Sequence, residues 1–149
     1  MGTMVVETVV FGKIEVEEDK VIHFSHGIPG FEESQQFILL PIGDDIPFSY
    51  LQCIDNEQLS LLVTEPFGFH PSYEFTITDS LKAELHIEAE DQVVILAVVT
   101  VQDNLADATI NLLAPIVINH KRAVGRQIIL HDTQYMTKHR LLPEPAQGE

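Results

Sequence analysis

Two glycines around a proline form the first stretch of the sequence that could bind a ligand. Residues 26–33 read HGIPGFEE, and a glycine-rich turn that leads into a helix can wrap a phosphate. The nucleotide-triphosphate version of such a loop continues with lysine and then serine or threonine, whereas two glutamates follow here. Those carboxylates would compete with an anion for the same backbone donors. The stretch therefore predicts a structural corner, in which Gly27 and Gly30 make the turn, Gly30 takes a positive φ and Phe31 enters the core.

Histidines are the next candidates, because imidazole nitrogens are common zinc ligands. His23 and His26 are close in sequence. Strand positions three apart point to opposite faces, so the two rings converge only if the strand bends between them. A small β-barrel metalloenzyme that uses His23 and His26 is one alternative that the sequence leaves open.

Potential nucleophiles and bases lack the neighbours that catalysis requires. Cys53 lies in a mostly apolar stretch with no lysine or arginine close in sequence to lower the pKa of its thiol, so we expect a buried, small hydrophobic residue. His131 and Asp132 are adjacent, and adjacent side chains on a strand diverge. The preferred interpretation is a protein that is not an enzyme and has no catalytic residue, cofactor, metal or small-molecule substrate.

Acidic residues dominate the charge. The chain has 23 Asp and Glu against 8 Lys and Arg, a formal net charge of −15, which repels nucleic acid unless bases are concentrated in one patch. Lys121, Arg122 and Arg126 are close enough in sequence to form such a patch, and direct RNA binding through them is the second alternative. The simpler interpretation is that they decorate the tip of a hairpin. Simple solubility is the preferred explanation of this acidic content. As a binding surface, it suits a partner protein with a basic surface better than a nucleic acid.

Length and composition predict one domain, since 149 residues with 45% hydrophobic content can bury a single core. The longest apolar run, Val93–Val99, is well short of the ~18 residues of a membrane span. The lone cysteine excludes an intramolecular disulfide, and the start lacks a signal-peptide pattern. We therefore expect a cytoplasmic protein without membrane contact. Residues 1–3 are expected to be a cloning remnant before a natural start at Met4, and residues 143–149 a disordered tail.

Strand patterns recur along most of the chain. Some segments alternate apolar with polar residues, as half-buried strands do. Others are short apolar runs rich in β-branched residues, which predict buried central strands. A further strand is interrupted at Pro115, which lacks a backbone donor. The alternating segments are 13–17 and 85–88, the apolar runs are 37–40, 61–63 and 93–101, and the remaining strands are 110–119 and 127–130.

Helix is scarce in this pattern. We predict two short helices, at 32–36 and at 79–84, the second capped by Asp79 or Ser80. Clusters of Gly, Pro, Asp and Asn separate the strands at intervals of roughly ten residues, which is typical of antiparallel sandwiches and barrels. The sequence thus predicts an all-β fold, a small antiparallel β-barrel-like single domain with one or two short helices.

Several short motifs follow one another in a fixed order along the chain. They are Phe11-Gly12, GIPGFE at 27–32, Pro47-Phe48 with Leu51-Gln52, Pro66-Phe67 with Pro71 and Tyr73, Asn111-Leu112 through APIVIN at 114–119, and Gly125-Arg126-Gln127. This ordered set resembles the bacterial flagellar assembly factor FliW family. The resemblance runs from about residue 5 to about residue 142, which would make residues 5–142 a single FliW-like β-barrel domain. Cys53 departs from the pattern, where serine is expected, and so does Ser72, where an acid is expected.

The resemblance implies a non-enzymatic regulator with a small antiparallel β-barrel-like fold. Members of this family bind the RNA-binding translational repressor CsrA and relieve its repression of flagellin mRNA, while flagellin competes for the same regulator. The resemblance implies CsrA and flagellin as partners, and neither nucleic acid nor membrane.

Two loops concentrate the side chains that a partner could recognise. The segment Pro66–Tyr73 holds three aromatic residues and a histidine in eight positions, and aromatic residues in loops act as partner anchors or cap the end of a barrel. An acidic pair lies in an earlier loop, at residues 44–45. We predict a partner-binding surface made of Asp44, Asp45, Phe67, Phe69, His70 and Tyr73.

Overall fold

Strands make up most of the regular structure, and seven of them close into a barrel. In the computed structural model, which describes residues 2–142, the strands are β1 Thr3–Thr8, β2 Gly12–Glu17, β3 Ile22–His23, β4 Gln36–Pro41, β5 Ser49–Cys53, β6 Ser60–Thr64, β7 Val93–Thr100, β8 Thr109–Ile110, β9 Ile116–Asn119, β10 Val124–Gln127 and β11 His139–Arg140. The barrel strands follow the order β7-β6-β5-β4-β3-β10-β9, and β9 pairs back onto β7. Neighbours run antiparallel except β3 and β10, which are parallel with His23 opposite Val124. The predicted all-β, barrel-like fold is confirmed.

Apolar side chains fill the barrel and also cover parts of its outer wall. Inside, Phe24 meets Phe37 edge to face, with ring centroids 5.4 Å apart. Outside, one cluster forms around Tyr73 and Leu141 beneath β8 and β11. The helix α1, Asp79–Glu84, packs a second outer cluster against β9 and β10. Strands β7 and β9 are therefore apolar on both faces, because each face meets a core.

The first two strands form a separate antiparallel hairpin. Their register runs from Thr3 opposite Glu17 to Thr8 opposite Gly12, which confirms the strand predicted at 13–17. Thr3 lies in β1, and the carbonyl of Gly2 accepts the backbone N–H of Glu18 at 3.1 Å. Of the residues expected to be a cloning remnant, Thr3 thus belongs to the hairpin and Gly2 is hydrogen-bonded beside it.

One predicted helix is confirmed and the other is wrong. The helix α1 spans the predicted residues, but its cap is Thr78, whose Oγ1 accepts the N–H of Leu81 at 3.2 Å. Residues 32–36 form a turn that leads into β4. Here strand pairing outweighs the local helix preference, because Gln36 already pairs with His23 in β3.

Three predicted strands also differ from the structure. The strand predicted at 110–119 is divided into β8 and β9, and residues 111–115 belong to neither. At 85–88, Leu85 ends α1 and His86 takes a φ of 57°. The alternation arises because Leu85 and Ile87 both face the cluster beneath α1. The strand predicted at 127–130 begins earlier, as β10. After Gln127, isolated backbone hydrogen bonds join the chain to residues just before β9. The N–H of Ile128 donates to the carbonyl of Pro115 at 3.0 Å, and the N–H of Leu130 donates to the carbonyl of Leu113 at 2.9 Å.

The corner at residues 26–33 is confirmed, but its core residue is not the predicted one. Gly27 and Gly30 have φ values of 66° and 90°, and a Cβ on Gly27 would lie 2.5 Å from the backbone oxygen of Glu32. Phe31 remains 48% exposed, while Ile28 is 3% exposed and enters the barrel core. The prediction for Phe31 is wrong because the turn directs Ile28 inward.

No helix among residues 2–142 is both long and apolar enough to cross a membrane. The predicted tail at 143–149 and Met1 lie outside the described residues.

Candidate partner-binding site

One end of the barrel opens into a cleft, which we call the barrel mouth. It lies between the loop from β4 to β5 and the turn after β6, and its volume is about 750 Å³. Side chains from the barrel interior form its floor, so the apolar core is reachable from outside at this end. The floor residues are Leu39, Val63, Val94 and Leu96, and the rim residues are Ile46, Pro47, Glu65, Phe67 and Phe69.

Large apolar side chains on the rim face water. Ile46 is 46% exposed and Phe67 is 43% exposed. They stand on different loops, on either side of an apolar floor. Exposed apolar residues around a concave apolar surface are the usual composition of a protein-docking site, where one or two anchors supply most of the binding energy. The composition of the mouth thus suits contact with an apolar side chain of another molecule.

Acids border the same opening. Asp44 and Asp45 are exposed in the turn that carries Ile46, and Glu65 is exposed on the facing loop. Within residues 2–142, the lining of the mouth includes no lysine or arginine. Since unmatched acidic charge attracts and orients a basic partner, the mouth favours an anchor that has Lys or Arg beside it.

Direct contacts hold the two loops of the mouth together. The Oγ1 of Thr64 donates to the carbonyl of Pro47, which ties β6 to the loop from β4. Phe48 stacks on Phe69 with ring centroids 5.6 Å apart and an interplanar angle of 26°. The rim is therefore ordered before any partner arrives, which reduces the entropy lost on binding.

The structure separates the six predicted residues into two groups. Phe67 and the half-buried Phe69 line the rim, whereas Asp44 and Asp45 precede the rim residue Ile46 in its turn and do not line the cleft themselves. His70 instead turns toward the C-terminal strand, where its Nε2 lies 2.8 Å from the carbonyl oxygen of Arg140. The first group keeps its predicted role as a prediction, on a surface that the fold assembles from two loops.

Tyr73, the sixth predicted residue, is only 3% exposed. Its hydroxyl donates to the carbonyl of Leu112 at 2.8 Å. Burial raises the pKa of Tyr73 well above its usual range, with a smaller contribution from Tyr135. The hydroxyl thus stays protonated and keeps its role as a donor. Tyr73 supports the loop from inside, where a partner cannot touch it.

Sequence reasoning missed Ile46, Pro47, Glu65 and the floor of the mouth. Ile46 gave a usable signal, because an isoleucine between an aspartate pair and a proline is unusual in a turn. The floor residues gave none, since Leu39 and Val94 look like any other residues of buried strands. Their accessibility depends on where the barrel ends.

Within residues 2–142, the structure does not support the alternative of a metal site at His23 and His26. His23 is exposed on β3, and the Nε2 of His26 lies 3.3 Å from Oε2 of Glu84, a carboxylate on α1. Among residues 2–142, no group of three His, Cys, Asp or Glu side chains is placed to hold a metal ion. Cys53 is fully buried, and burial raises the pKa of its thiol.

The bases of the RNA alternative divide between two structural roles. Lys121 and Arg122 occupy the turn between β9 and β10, where Oδ1 of Asn119 accepts their backbone N–H groups at 3.1 and 3.2 Å. Arg126 lies on β10, and its Nη1 donates to Oε1 of Glu84 at 2.6 Å. Its charge is therefore matched within the protein, which leaves two bases on the turn.

Comparison with known proteins gives a consistent result over nearly the whole chain. A family model described as FliW protein matches residues 5–141. The flagellar assembly factor FliW of Desulfitobacterium hafniense (strain DSM 10664 / DCB-2) is 44% identical over 146 residues, 97% of this chain and 96% of the relative. That of Geobacillus kaustophilus (strain HTA426) is 43% identical over 141 residues, 95% and 97% of the two chains. A crystal structure of the flagellar assembly factor FliW is similar with a TM-score of 0.90 and 41% identity, covering 95% of this chain and 99% of the other.

Proposed function

Because the chain belongs to the FliW family of flagellar assembly factors, we propose that it is a non-enzymatic regulator that binds the translational repressor CsrA in the cytoplasm. Binding relieves the repression of flagellin mRNA, and flagellin is the competing partner. The observation that carries this proposal for the chain itself is the barrel mouth, an apolar cleft with exposed anchors and an acidic rim.

Charge complementarity supports CsrA as the occupant of the mouth. A protein that holds RNA must present basic surface to the phosphates. Asp44, Asp45 and Glu65 offer matching charge beside the apolar rim. A chain with a net charge of −15 bound beside an RNA site also repels phosphate, whether or not it covers the site.

Flagellin enters the proposal as the signal that releases CsrA. While flagellin accumulates, it occupies the regulator, and free CsrA represses further synthesis. After export lowers the flagellin concentration, the regulator returns to CsrA. This exchange needs no chemical step by the chain, only two affinities of comparable size and mutual exclusion between the two partners.

The test is calorimetric titration of the chain with purified CsrA, with and without bound flagellin. We expect flagellin to weaken CsrA binding at least tenfold. The variant Asp44→Lys, Asp45→Lys, Phe67→Ala should weaken CsrA binding by a similar factor, because it removes both rim charge and an anchor. The matched control reverses two exposed acids of the loop from β7 to β8, Asp103→Lys with Asp107→Lys.

Two results would count against the proposal, in different ways. If neither protein binds, the partner assignment is wrong. If CsrA binds and the rim variant stays within about threefold, or ~0.7 kcal/mol, of the control, then CsrA uses a different surface. The exposure of all substituted residues makes misfolding an implausible cause of lost binding, and thermal unfolding of each variant checks it.

A further inference from the structure

The tip of the β1–β2 hairpin exposes consecutive apolar side chains. Turns are usually made of Gly, Pro, Asn, Asp and Ser, but this one reads Val9-Val10-Phe11 before Gly12. Val9 is 68% exposed, Val10 49% and Phe11 37%, and Val5 on the outer face of β1 is 57% exposed. A run of exposed apolar residues lowers solubility without adding to the core, which makes it a candidate interaction surface.

The turn is held rigidly. Oγ1 of Thr8 accepts the N–H of Phe11 at 2.8 Å and donates to the carbonyl of Gly12 at 2.9 Å. The N–H of Val9 donates to the carbonyl of Glu57 at 3.3 Å. The ring of Phe11 meets Tyr50 edge to face, with centroids 6.0 Å apart. The backbone of the tip and the ring of Phe11 are thus held in place, which limits the entropy cost of docking.

The surroundings of the tip determine which partner it fits. A shallow cleft beside it is lined by Val5 and by the turn from β5 to β6, including the exposed acids Asp55 and Glu57. Glu7 adds a third acid, and the base in this cleft, Lys13, lies with its Nζ 4.0 Å from Oε1 of Glu7. Apolar contacts surrounded by negative charge favour an apolar segment that carries Lys or Arg.

We propose that the hairpin tip, Val9, Val10 and Phe11, is a second docking surface, separate from the barrel mouth, for a basic amphipathic segment of a partner protein. Both surfaces lie next to β5, but they involve different residues. The mouth includes Ser49, whereas the tip donates from the N–H of Val9 to the carbonyl of Glu57 in the turn after the strand and packs Phe11 against Tyr50. None of the three tip residues lines the mouth, so the two surfaces are distinct.

The probe is a fluorescein-labelled amphipathic peptide of Leu and Lys, about 18 residues or five helical turns long. We expect it to bind the intact chain, more weakly at high salt, and to shift the backbone amide NMR signals of Val9, Val10 and Phe11. Val9→Ser with Val10→Ser should weaken binding about tenfold. Ile129→Ser, at an equally exposed residue remote in sequence, is the matched control and should stay within about twofold.

Several outcomes would overturn the proposal. These are no binding to the intact chain, affinity of the Val9→Ser, Val10→Ser variant within about threefold of the control, or NMR shifts confined to the barrel mouth. A matched peptide of Leu and Glu should not bind, and its binding would refute the charge argument. No CsrA or flagellin is needed, so this result is independent of the proposed function.

Discussion

Replacing Asn119 should lower the free energy of unfolding substantially, because this one side chain makes four hydrogen bonds. Asn119 is fully buried, and its amide uses its whole hydrogen-bonding capacity. Nδ2 donates to the carbonyls of Leu85 at 2.8 Å and His86 at 3.0 Å. Oδ1 accepts the backbone N–H groups of Lys121 and Arg122 at 3.1 and 3.2 Å. One side chain thus joins the end of α1 to the turn between β9 and β10.

The size of the loss in stability depends on which of the former hydrogen-bond partners of Asn119 water can reach in the Asn119→Ala variant. Lys121 and Arg122 lie in an exposed turn, so water replaces their lost acceptor at little cost. The Leu85 carbonyl is in a buried bond and would stay unsatisfied, which costs about 1–3 kcal/mol. When the lost bond to the carbonyl of His86, which is partly buried, is added, we expect the free energy of unfolding to fall by about 2–4 kcal/mol. In a domain of this size, that lowers Tm by roughly 6–12 °C.

Urea unfolding followed by circular dichroism measures this loss, provided that the slope m is unchanged between variants. The control is Asn56→Ala, because Oδ1 of Asn56 accepts one exposed N–H, from Gln58 at 3.1 Å. That change should stay within about 0.5 kcal/mol of wild type. A loss below about 1 kcal/mol for Asn119→Ala would show that water satisfies the Leu85 carbonyl after all, and would refute the reasoning.

Two further predictions concern the corner and the C-terminal strand. Gly27→Ala should have a lower free energy of unfolding in urea than Gly30→Ala, by at least about 1 kcal/mol. Both glycines adopt positive φ, but only Gly27 has backbone atoms within 3 Å of the new Cβ. Equal losses of stability in the two variants would contradict this prediction. Burial, and less so the charge of His70, lowers the pKa of His139, whose Nε2 accepts the N–H of Met136 at 2.8 Å. As pH falls, the unfolded chain therefore takes up a proton at His139 before the folded chain does, so the free energy of unfolding should fall as pH drops below about 6.5. His139→Gln should reduce the dependence of the urea midpoint on pH between about pH 7 and pH 5. An unchanged dependence would exclude His139 as its source.

The strands were predictable where their burial is simple. Phe37–Leu40 and Val93–Thr100 are apolar because a core covers them, and period and composition carry that information. The pairings that close the barrel carry no local signal, since nothing in β9 indicates that it returns to β7. At 85–88, the end of a helix resembled a strand because two apolar residues two positions apart, Leu85 and Ile87, face the same outer cluster.

The candidate site was predictable in its loops but not in its shape. Acidic and aromatic residues marked the two loops that form the barrel mouth, and the family resemblance is confirmed by the match over residues 5–141. Composition alone does not distinguish an aromatic residue that anchors a partner from an aromatic residue that covers the core. Phe67 faces outward and Tyr73 inward because of the turn between them, where Phe69 bonds back to the carbonyl of Pro66 at 3.1 Å.

The parallel pairing of β3 with β10 sets an order of events during synthesis. His23 leaves the ribosome about one hundred residues before its partner Val124, roughly 5–20 s earlier at a rate of about 5–20 residues per second. Through that interval the meander from β3 to β6 has unpaired edges, which is the condition in which strands join wrong partners. The floor of the barrel mouth also needs Val94 and Leu96 from β7. The barrel mouth is therefore incomplete until most of the chain has been translated.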